Sequence, residues 1–289
     1  MRITLVLALV VSAVVACGPS GPGADGRPRV VASFYPLAFV AERVAGDRAR
    51  VEDLTPPGAE PHDFEPTSSQ VIAISEADLL LYLGGGFQPA IEELAADAGD
   101  AALDVAEGQD TLPSHEDEEA FDPHLWLDPA RMIPIAEATA DRLAAVDPDD
   151  AQEFRAGASE LADDLRALDR DFEAALSDCA SRDIVTSHEA FGYLAARYGL
   201  EQIGIAGLDP EAEPSPQRLA EVADFVVQHD VTTIFFETLV SPEVAETIAE
   251  ETGATTAQLD PIESPPANGG YFDAMRANLD SLREALRCD

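Results

Sequence analysis

The stretch Asp183–Leu200, DIVTSHEAFGYLAARYGL, changes character in its middle and places a histidine at the change. Its first five residues, 183–187, predict a short β-strand. From Glu189 onward the apolar residues follow the i, i+3, i+4, i+7 spacing of one helix face, as Phe191, Leu194, Ala195 and Tyr198. His188 is therefore expected at the carboxyl end of a strand. In open α/β sheets ligands bind at that edge, which makes His188 a candidate for chemistry.

The same alternation of strand and helix recurs on both sides of one long helical segment. Four β-rich runs with intervening helical patterns precede it within residues 29–105, and four more follow within residues 183–259. From Asp149 to about Ala180 there is no proline and the apolar residues keep helical spacing, which predicts a helix of about 45 Å. We therefore expect an α/β protein of two lobes, each with a mostly parallel four-stranded sheet flanked by helices, joined by this helix.

The N-terminus predicts export from the cytoplasm. Arg2 precedes an apolar run, Ile3–Val11, that is too short to span a bilayer, and VVA leads to Cys17. This pattern resembles a bacterial lipoprotein processing site that leaves a lipidated Cys17; an ordinary leader followed by an unmodified cysteine is the alternative. The predicted organisation is a leader at 1–16, a lipidated N-terminus and flexible tether at 17–28, an N-terminal lobe at 29–146, a linking helix at 147–180 and a C-terminal lobe at 181–289.

The charge of the chain is strongly unbalanced. There are 17 Lys+Arg residues against 56 Asp+Glu, a formal net charge of −39. A field of this sign repels phosphate, so we expect no nucleic-acid partner, and it attracts cations over distances of about 10 Å at moderate salt. Solubility is the simpler interpretation, and a selected role in collecting cations remains open.

Besides Cys17 the chain has two cysteines, Cys179 and Cys288. Outside the cytoplasm such a pair is normally oxidised. A disulfide closing so long a loop would stabilise the protein by about 4–5 kcal/mol in the chain-entropy model. Two free buried thiols are the alternative.

Three histidines and one carboxylate fall in loops or at strand ends: His62, His124, His188 and Asp260. These are the donor types of a tetrahedral zinc site with three nitrogens and one oxygen, two donors from each lobe. Their spacing contains no compact metal motif, because HEAFG at His188 is not the H-E-x-x-H pattern. Structural or surface roles for each histidine, and a turn-capping role for Asp260, therefore remain open on the residues alone.

Six segments resemble the zinc- and manganese-binding substrate-binding proteins of ABC transporters, the ZnuA-like group. They are GAEPHDFEPT, DPHLWLDP, IVTSHEAFGYLAARYGL, IFFETLVSP, TTAQLDPI and YFDAMRANLDSLREAL, in the order of the family and spread between about Val30 and Arg287. The resemblance implies two α/β lobes joined by one long helix, with the metal in the cleft between them. It implies His62, His124, His188 and Asp260 as metal ligands, and Glu60 as a possible additional one.

The chain departs from the family at the loop before His124. Zinc-binding members often carry a long histidine-rich loop there, whereas this loop is short and acidic and has only His115. The third ligand position holds His188, where manganese-binding members usually have glutamate. Three imidazoles with one carboxylate favour Zn²⁺ over Mn²⁺.

We expect a lipid-anchored, monomeric, extracytoplasmic protein that captures Zn²⁺ as cargo and delivers it to the permease of an ABC-type importer, without enzymatic activity. Binding requires neutral imidazoles, so affinity should fall below about pH 6.5. The alternatives are a manganese-binding counterpart, a surface adhesin on the same fold, and a zinc hydrolase or hydratase. The last would use three histidines, an open fourth position for water and Glu189 as general base.

Overall fold

The computed structural model describes residues 26–114 and 121–289. The predicted leader, Cys17 and His115 lie outside these ranges. The elements of the N-terminal lobe are β1 (Arg29–Ala32), α1 (Tyr35–Ala45), β2 (Arg50–Asp53), α2 (Ser68–Ser75), β3 (Leu79–Tyr82), α3 (Pro89–Ala98), β4 (Ala102–Asp104) and α4 (Pro129–Val146). Next come the connecting helix α5 (Ala151–Ala175) and the elements of the C-terminal lobe: β5 (Asp183–Thr186), α6 (Gly192–Tyr198), β6 (Glu201–Gly204), α7 (Pro216–Gln228), β7 (Thr233–Phe236), α8 (Glu243–Thr252), β8 (Thr255–Gln258) and α9 (Tyr271–Leu286).

Each lobe contains one four-stranded parallel sheet, and the two sheets have the same topology. The strand order is β2-β1-β3-β4 in the first lobe and β6-β5-β7-β8 in the second. All six strand pairings are parallel. The predicted fold class is confirmed. Loops that leave the carboxyl ends of strands in both sheets therefore meet in the cleft between the lobes.

The connecting helix α5 lies against both lobes. Its apolar stripe packs on α1 and α4 of the first lobe and on α9 of the second. The largest cluster of buried residues accordingly runs through the whole molecule and includes Val30, Leu161, Ile184 and Leu282. The two lobes thus share one hydrophobic core, and smaller clusters lie on the outer faces of the two sheets.

The helix α5 ends earlier than its apolar spacing predicts. It stops at Ala175 rather than near Ala180, so its length is about 38 Å. Beyond it the chain turns so that Cys179 pairs with Cys288, just after α9, and the two cysteines form a disulfide. Within the described residues, none of the helices has the length and apolar character needed to cross a membrane.

The helix after β5 begins later than expected. It starts at Gly192 instead of Glu189. The amide of Glu189 donates to the carbonyl of Gly207, and the amide of Ala206 donates to the carbonyl of Ser187. These long-range backbone bonds extend the pairing beyond β5 and β6, which holds His188 in a turn at the strand end instead of in a helix.

Candidate metal centre

Four side chains from four separate loops converge between the lobes. Their potential ligand atoms all lie within 4.8 Å of one another, and the residues are His62, His124, His188 and Glu263. His62 follows β2 and His124 precedes α4 in the first lobe, whereas His188 follows β5 and Glu263 follows β8 in the second. The structure therefore brings all three predicted histidines together, two from the first lobe and one from the second.

The distances within the group match a small tetrahedral metal site. His188 Nε2 lies 3.3 Å from His124 Nε2, and Glu263 Oε1 lies 3.4 Å from the Nε2 atoms of both His62 and His124. Glu263 Oε1 lies 3.8 Å from His188 Nε2. A tetrahedron with metal–ligand bonds of about 2.0–2.1 Å has edges of about 3.3–3.4 Å, which three of these four separations match.

Glu263, and not the predicted Asp260, lies with the three histidines. The carboxylate of Asp260 does not belong to the group; its Oδ1 accepts the backbone N–H of Ile262 at 2.8 Å. Asp260 therefore caps the turn that follows β8, as its position before a proline also allowed. Glu263 is the next carboxylate along this turn, and that proximity to a strand end was the available signal for it.

Glu60 also lies outside the group, although it is close by. Its Oε1 accepts the backbone N–H of His62 at 2.8 Å, which orders the loop that carries this histidine. Burial raises the pKa of Glu60 to about 8, and the nearby charge of Glu263 adds to the shift. The same loop touches the second lobe, because the amide of Gly58 donates to Ser264 Oγ at 2.7 Å.

His124 is fixed by the buried carboxylate of Asp122. Asp122 Oδ1 lies 2.8 Å from His124 Nδ1 and accepts the backbone N–H of the same residue at 3.0 Å. This contact holds the proton on Nδ1 in the neutral ring and turns Nε2 toward the centre of the group. A Cβ on Gly192 would stand 2.4 Å from Asp122 Oδ2, so only glycine lets the start of α6 approach this carboxylate.

Burial and these hydrogen bonds shift the pKa values of the group. Burial favours a neutral His124, but hydrogen bonds with Asp122 and Glu263 outweigh it and raise its pKa to about 9. Burial likewise opposes ionisation of Glu263, but hydrogen bonds from His124 and His62 hold its pKa well below the usual range. Burial lowers the pKa of His62. Burial thus opposes charge on both His124 and Glu263, and the hydrogen bonds within the group favour it.

His62 is the most accessible of the four side chains. Its side chain is 12% exposed, whereas the side chains of His124, His188 and Glu263 are 1% exposed or less. Its ring packs edge-on against Phe87 at 4.6 Å between centroids. A cation reaching the group from solvent therefore arrives on the side of His62.

A group of this composition, supplied by loops of both lobes, has the donor types of a divalent-cation site rather than of a pocket for an organic solute. The fold and the site together define the class of two-lobed α/β metal-binding proteins. The chain belongs to the ZnuA family, described as zinc-uptake complex component A, periplasmic, whose model matches residues 30–285. The resemblance seen in the sequence motifs is confirmed.

Similar proteins include two curated relatives with names that refer to zinc. The zinc-binding lipoprotein AdcA of Streptococcus pneumoniae is 35% identical over 303 residues, covering 98% of this chain and 60% of AdcA. The high-affinity zinc uptake system protein ZnuA of Bacillus subtilis is 32% identical over 298 residues, covering 94% of this chain and 93% of that protein. The chain spans only 56% to 60% of the length of the AdcA proteins that it matches.

Solved structures share the fold along most of the chain. The laminin-binding protein Lmb of Streptococcus agalactiae, described as bifunctional with adhesin and metal-transporting activity, superposes with a TM-score of 0.82 at 34% identity. The match covers 90% of this chain and 99% of Lmb.

Proposed function

We propose that this protein captures Zn²⁺ outside the cytoplasm and delivers it to the permease of an ABC importer. The observation that carries the proposal is the group of three imidazole nitrogens and the Glu263 carboxylate, whose ligand atoms all lie within 4.8 Å of one another. Zinc is the first-row dication best suited to this donor number and geometry, whereas Mn²⁺ favours six ligands with more oxygen donors. The zinc-related names of the similar proteins support the same cargo.

The ligand set of the proposal is His62, His124, His188 and Glu263. Glu60 orders the loop of His62, and Asp260 lies in the turn before Glu263. A fourth protein ligand leaves no open position for a reactive water, which argues against the hydrolase or hydratase alternative. The base that such an enzyme would use, Glu189, pairs with Arg218 at 3.2 Å. We therefore propose a binding protein without catalysis.

The remaining parts of the proposal concern attachment and organisation. We infer a monomer anchored through a lipid on Cys17, with residues 18–28 linking the anchor to the first lobe. The lipoprotein name of the pneumococcal relative supports this anchoring. The limits 29–146, 147–180 and 181–289 remain our proposed division into lobe, linking helix and lobe.

Titration of metal-free protein with Zn²⁺ and with Mn²⁺, against a chelating competitor, tests the proposal. Zinc should bind far more tightly than manganese, with one ion per chain. The His124→Ala/His188→Ala pair should lose more affinity than the roughly 10–100-fold that removal of an outer hydrogen-bond partner causes. His229→Ala is the matched control, because this exposed histidine lies beside Asp183, outside the site. Unchanged zinc affinity in the double variant would refute the site.

A further inference from the structure

The residue that immediately precedes Glu263 has an unfavourable backbone conformation. Ile262 has a φ of +57°. Residues branched at Cβ rarely adopt this left-handed region, because the side chain crowds the backbone. The side chain of Ile262 is fully buried in the core shared by both lobes. The conformation is therefore imposed by the surroundings of the turn and not by the preference of the residue.

Both polar atoms of the peptide group between Pro261 and Ile262 are hydrogen-bonded. The carbonyl of Pro261 accepts from the indole Nε1 of Trp126 at 2.6 Å. The N–H of Ile262 donates to Asp260 Oδ1 at 2.8 Å. With both polar atoms of one peptide group held, its plane cannot rotate without breaking a buried hydrogen bond. The left-handed turn into Glu263 is thus fixed at this peptide.

Asp260 and Trp126, which hold this peptide group, are both hydrogen-bonded to helix α9. The backbone N–H and carbonyl of Asp260 bond the side-chain amide of Asn278 at 2.8 and 2.6 Å. The hydroxyl of Tyr271, the first residue of α9, donates to the carbonyl of Trp126 at 2.5 Å. Trp126 also lies two residues after His124. The same contacts therefore join the segment of one ligand to the segment of another.

We propose that Asp260 and Trp126 are positioning residues, which hold the strained turn so that the carboxylate of Glu263 completes the metal site. The proposal rests on the proposed zinc site, since the turn affects binding only if Glu263 is a ligand. Asp260 acts through Glu263 and makes no bond to the metal. Without this grip Ile262 relaxes toward negative φ, and Glu263 leaves its position beside the histidines.

A double-mutant cycle on zinc affinity separates this role from general stabilisation of the fold. The variants are Asp260→Ala, Glu263→Ala and the two combined, with Asp260→Asn as the conservative control. In the natural background, Asp260→Ala should lower zinc affinity about 10–100-fold, as loss of an outer partner of a metal ligand does. In the Glu263→Ala background, Asp260→Ala should lower zinc affinity by less than about threefold, because the side chain that Asp260 positions is already absent. Asp260→Asn keeps an oxygen that can accept the backbone N–H of Ile262. Its zinc affinity should stay within about threefold of that of the natural protein.

The visible spectrum of the Co²⁺-loaded protein gives an independent readout. The natural protein and Asp260→Asn should show the strong absorption of four-coordinate Co²⁺. Asp260→Ala should show the same altered spectrum as Glu263→Ala, in which water replaces the carboxylate on the metal. A general loss of stability would lower the unfolding midpoint without producing this change.

If Asp260→Ala does not fold, the same cycle with Trp126→Phe tests the positioning role. This substitution keeps an aromatic side chain and removes the Nε1 donor. Equal losses of affinity in the presence and absence of Glu263 would overturn the inference, as would an unchanged affinity in Asp260→Ala. If Glu263→Ala itself binds zinc normally, the proposed ligand set fails. If Glu263→Ala weakens binding and Asp260→Ala does not, only the positioning role fails.

Discussion

Glu237 holds His188 at two points. Its Oε2 lies 2.6 Å from His188 Nδ1, and its Oε1 accepts the backbone N–H of the same residue at 3.1 Å. Glu237 follows β7, the strand next to β5 in the sheet, and is almost fully buried. One neighbouring strand thus sets both the backbone position and the ring orientation of a predicted ligand.

Replacing Glu237 should therefore weaken zinc binding without removing a ligand. We expect Glu237→Ala to lower zinc affinity about 10–100-fold, because the His188 ring loses the acceptor that fixes its tautomer. Glu237→Gln should lose less zinc affinity, since its amide oxygen can still accept a hydrogen bond from His188 Nδ1. Competition titration at constant pH measures both, with the exposed Glu243→Ala on α8 as control. A Glu237→Ala affinity equal to that of the control would contradict the assignment.

Zinc binding should release a proton at neutral pH. Burial opposes the charge of His124, but hydrogen bonds with Asp122 and Glu263 raise its pKa to about 9, so below that pH zinc must displace a proton from this ring. Apparent affinity should then rise about tenfold per pH unit from pH 7 toward pH 9, instead of levelling off above about 6.5 as ordinary imidazoles would predict. Calorimetry in buffers of different ionisation enthalpy at pH 7.5 should count about one released proton. A flat affinity between pH 7 and 9 would show that His124 is neutral in the empty site.

The disulfide should stabilise the fold without affecting the site. Cys179 precedes β5, whereas His188 follows it, so the bridge and the metal group lie at opposite edges of the sheet. The bridge spans 109 positions of sequence, for which the chain-entropy model gives about 4–5 kcal/mol. Cys179→Ser/Cys288→Ser should lose free energy of unfolding of this order in denaturant titrations. Its zinc affinity should remain that of the natural protein, and a large fall would argue that the bridge shapes the cleft.

Asp53 should make the protein less stable as the pH rises. Burial raises the pKa of its carboxyl group to about 7, and the charge of Glu42 adds to the shift. Because this value lies above that of the unfolded chain, the contribution of Asp53 falls as pH rises from about 4 through 7. Asp53→Asn keeps the acceptor for the amide of Thr55. It should be more stable than the natural protein by about 1 kcal/mol or more at pH 8, and equal to it near pH 4.

Thermal and denaturant unfolding at both pH values measure this difference. The exposed neighbour Glu52→Gln on the same strand is the control for removal of one negative charge from the surface. An equal gain at pH 4 and pH 8, or the same gain in the control, would contradict the role of Asp53.

Much of the fold follows from local patterns. The alternation of short apolar runs with helical spacing predicts both parallel sheets, because each strand and helix carries its own periodicity. His62, His124 and His188 were identifiable because residues beyond strand ends gather at one edge of a parallel sheet. The start of α6 was misplaced, since the backbone pairing of residues 187–189 with residues 205–207 involves no local signal.

The carboxylate of the metal group could not be assigned by the same reasoning. Asp260 and Glu263 lie in one turn, and local pattern does not tell which side chain faces the cleft. In our proposal that choice depends on the φ of Ile262 and on the hydrogen bond that Trp126 donates to Pro261, 135 positions away in the chain. The acidic partners Asp122 and Glu237 were missed for a related reason, because their roles exist only once the histidines are in place.

The hydrophobic core that runs from β1 through α5 to β5 and α9 also determines what can be cut out of this protein. A fragment ending at residue 146 would leave the apolar faces of α1 and α4 in water, and a fragment beginning at 181 would do the same to α9. We therefore expect neither half to fold on its own. Engineered versions for metal sensing or for fusion should keep the two halves in one chain, with inserted sequences confined to surface loops such as the one between α7 and β7.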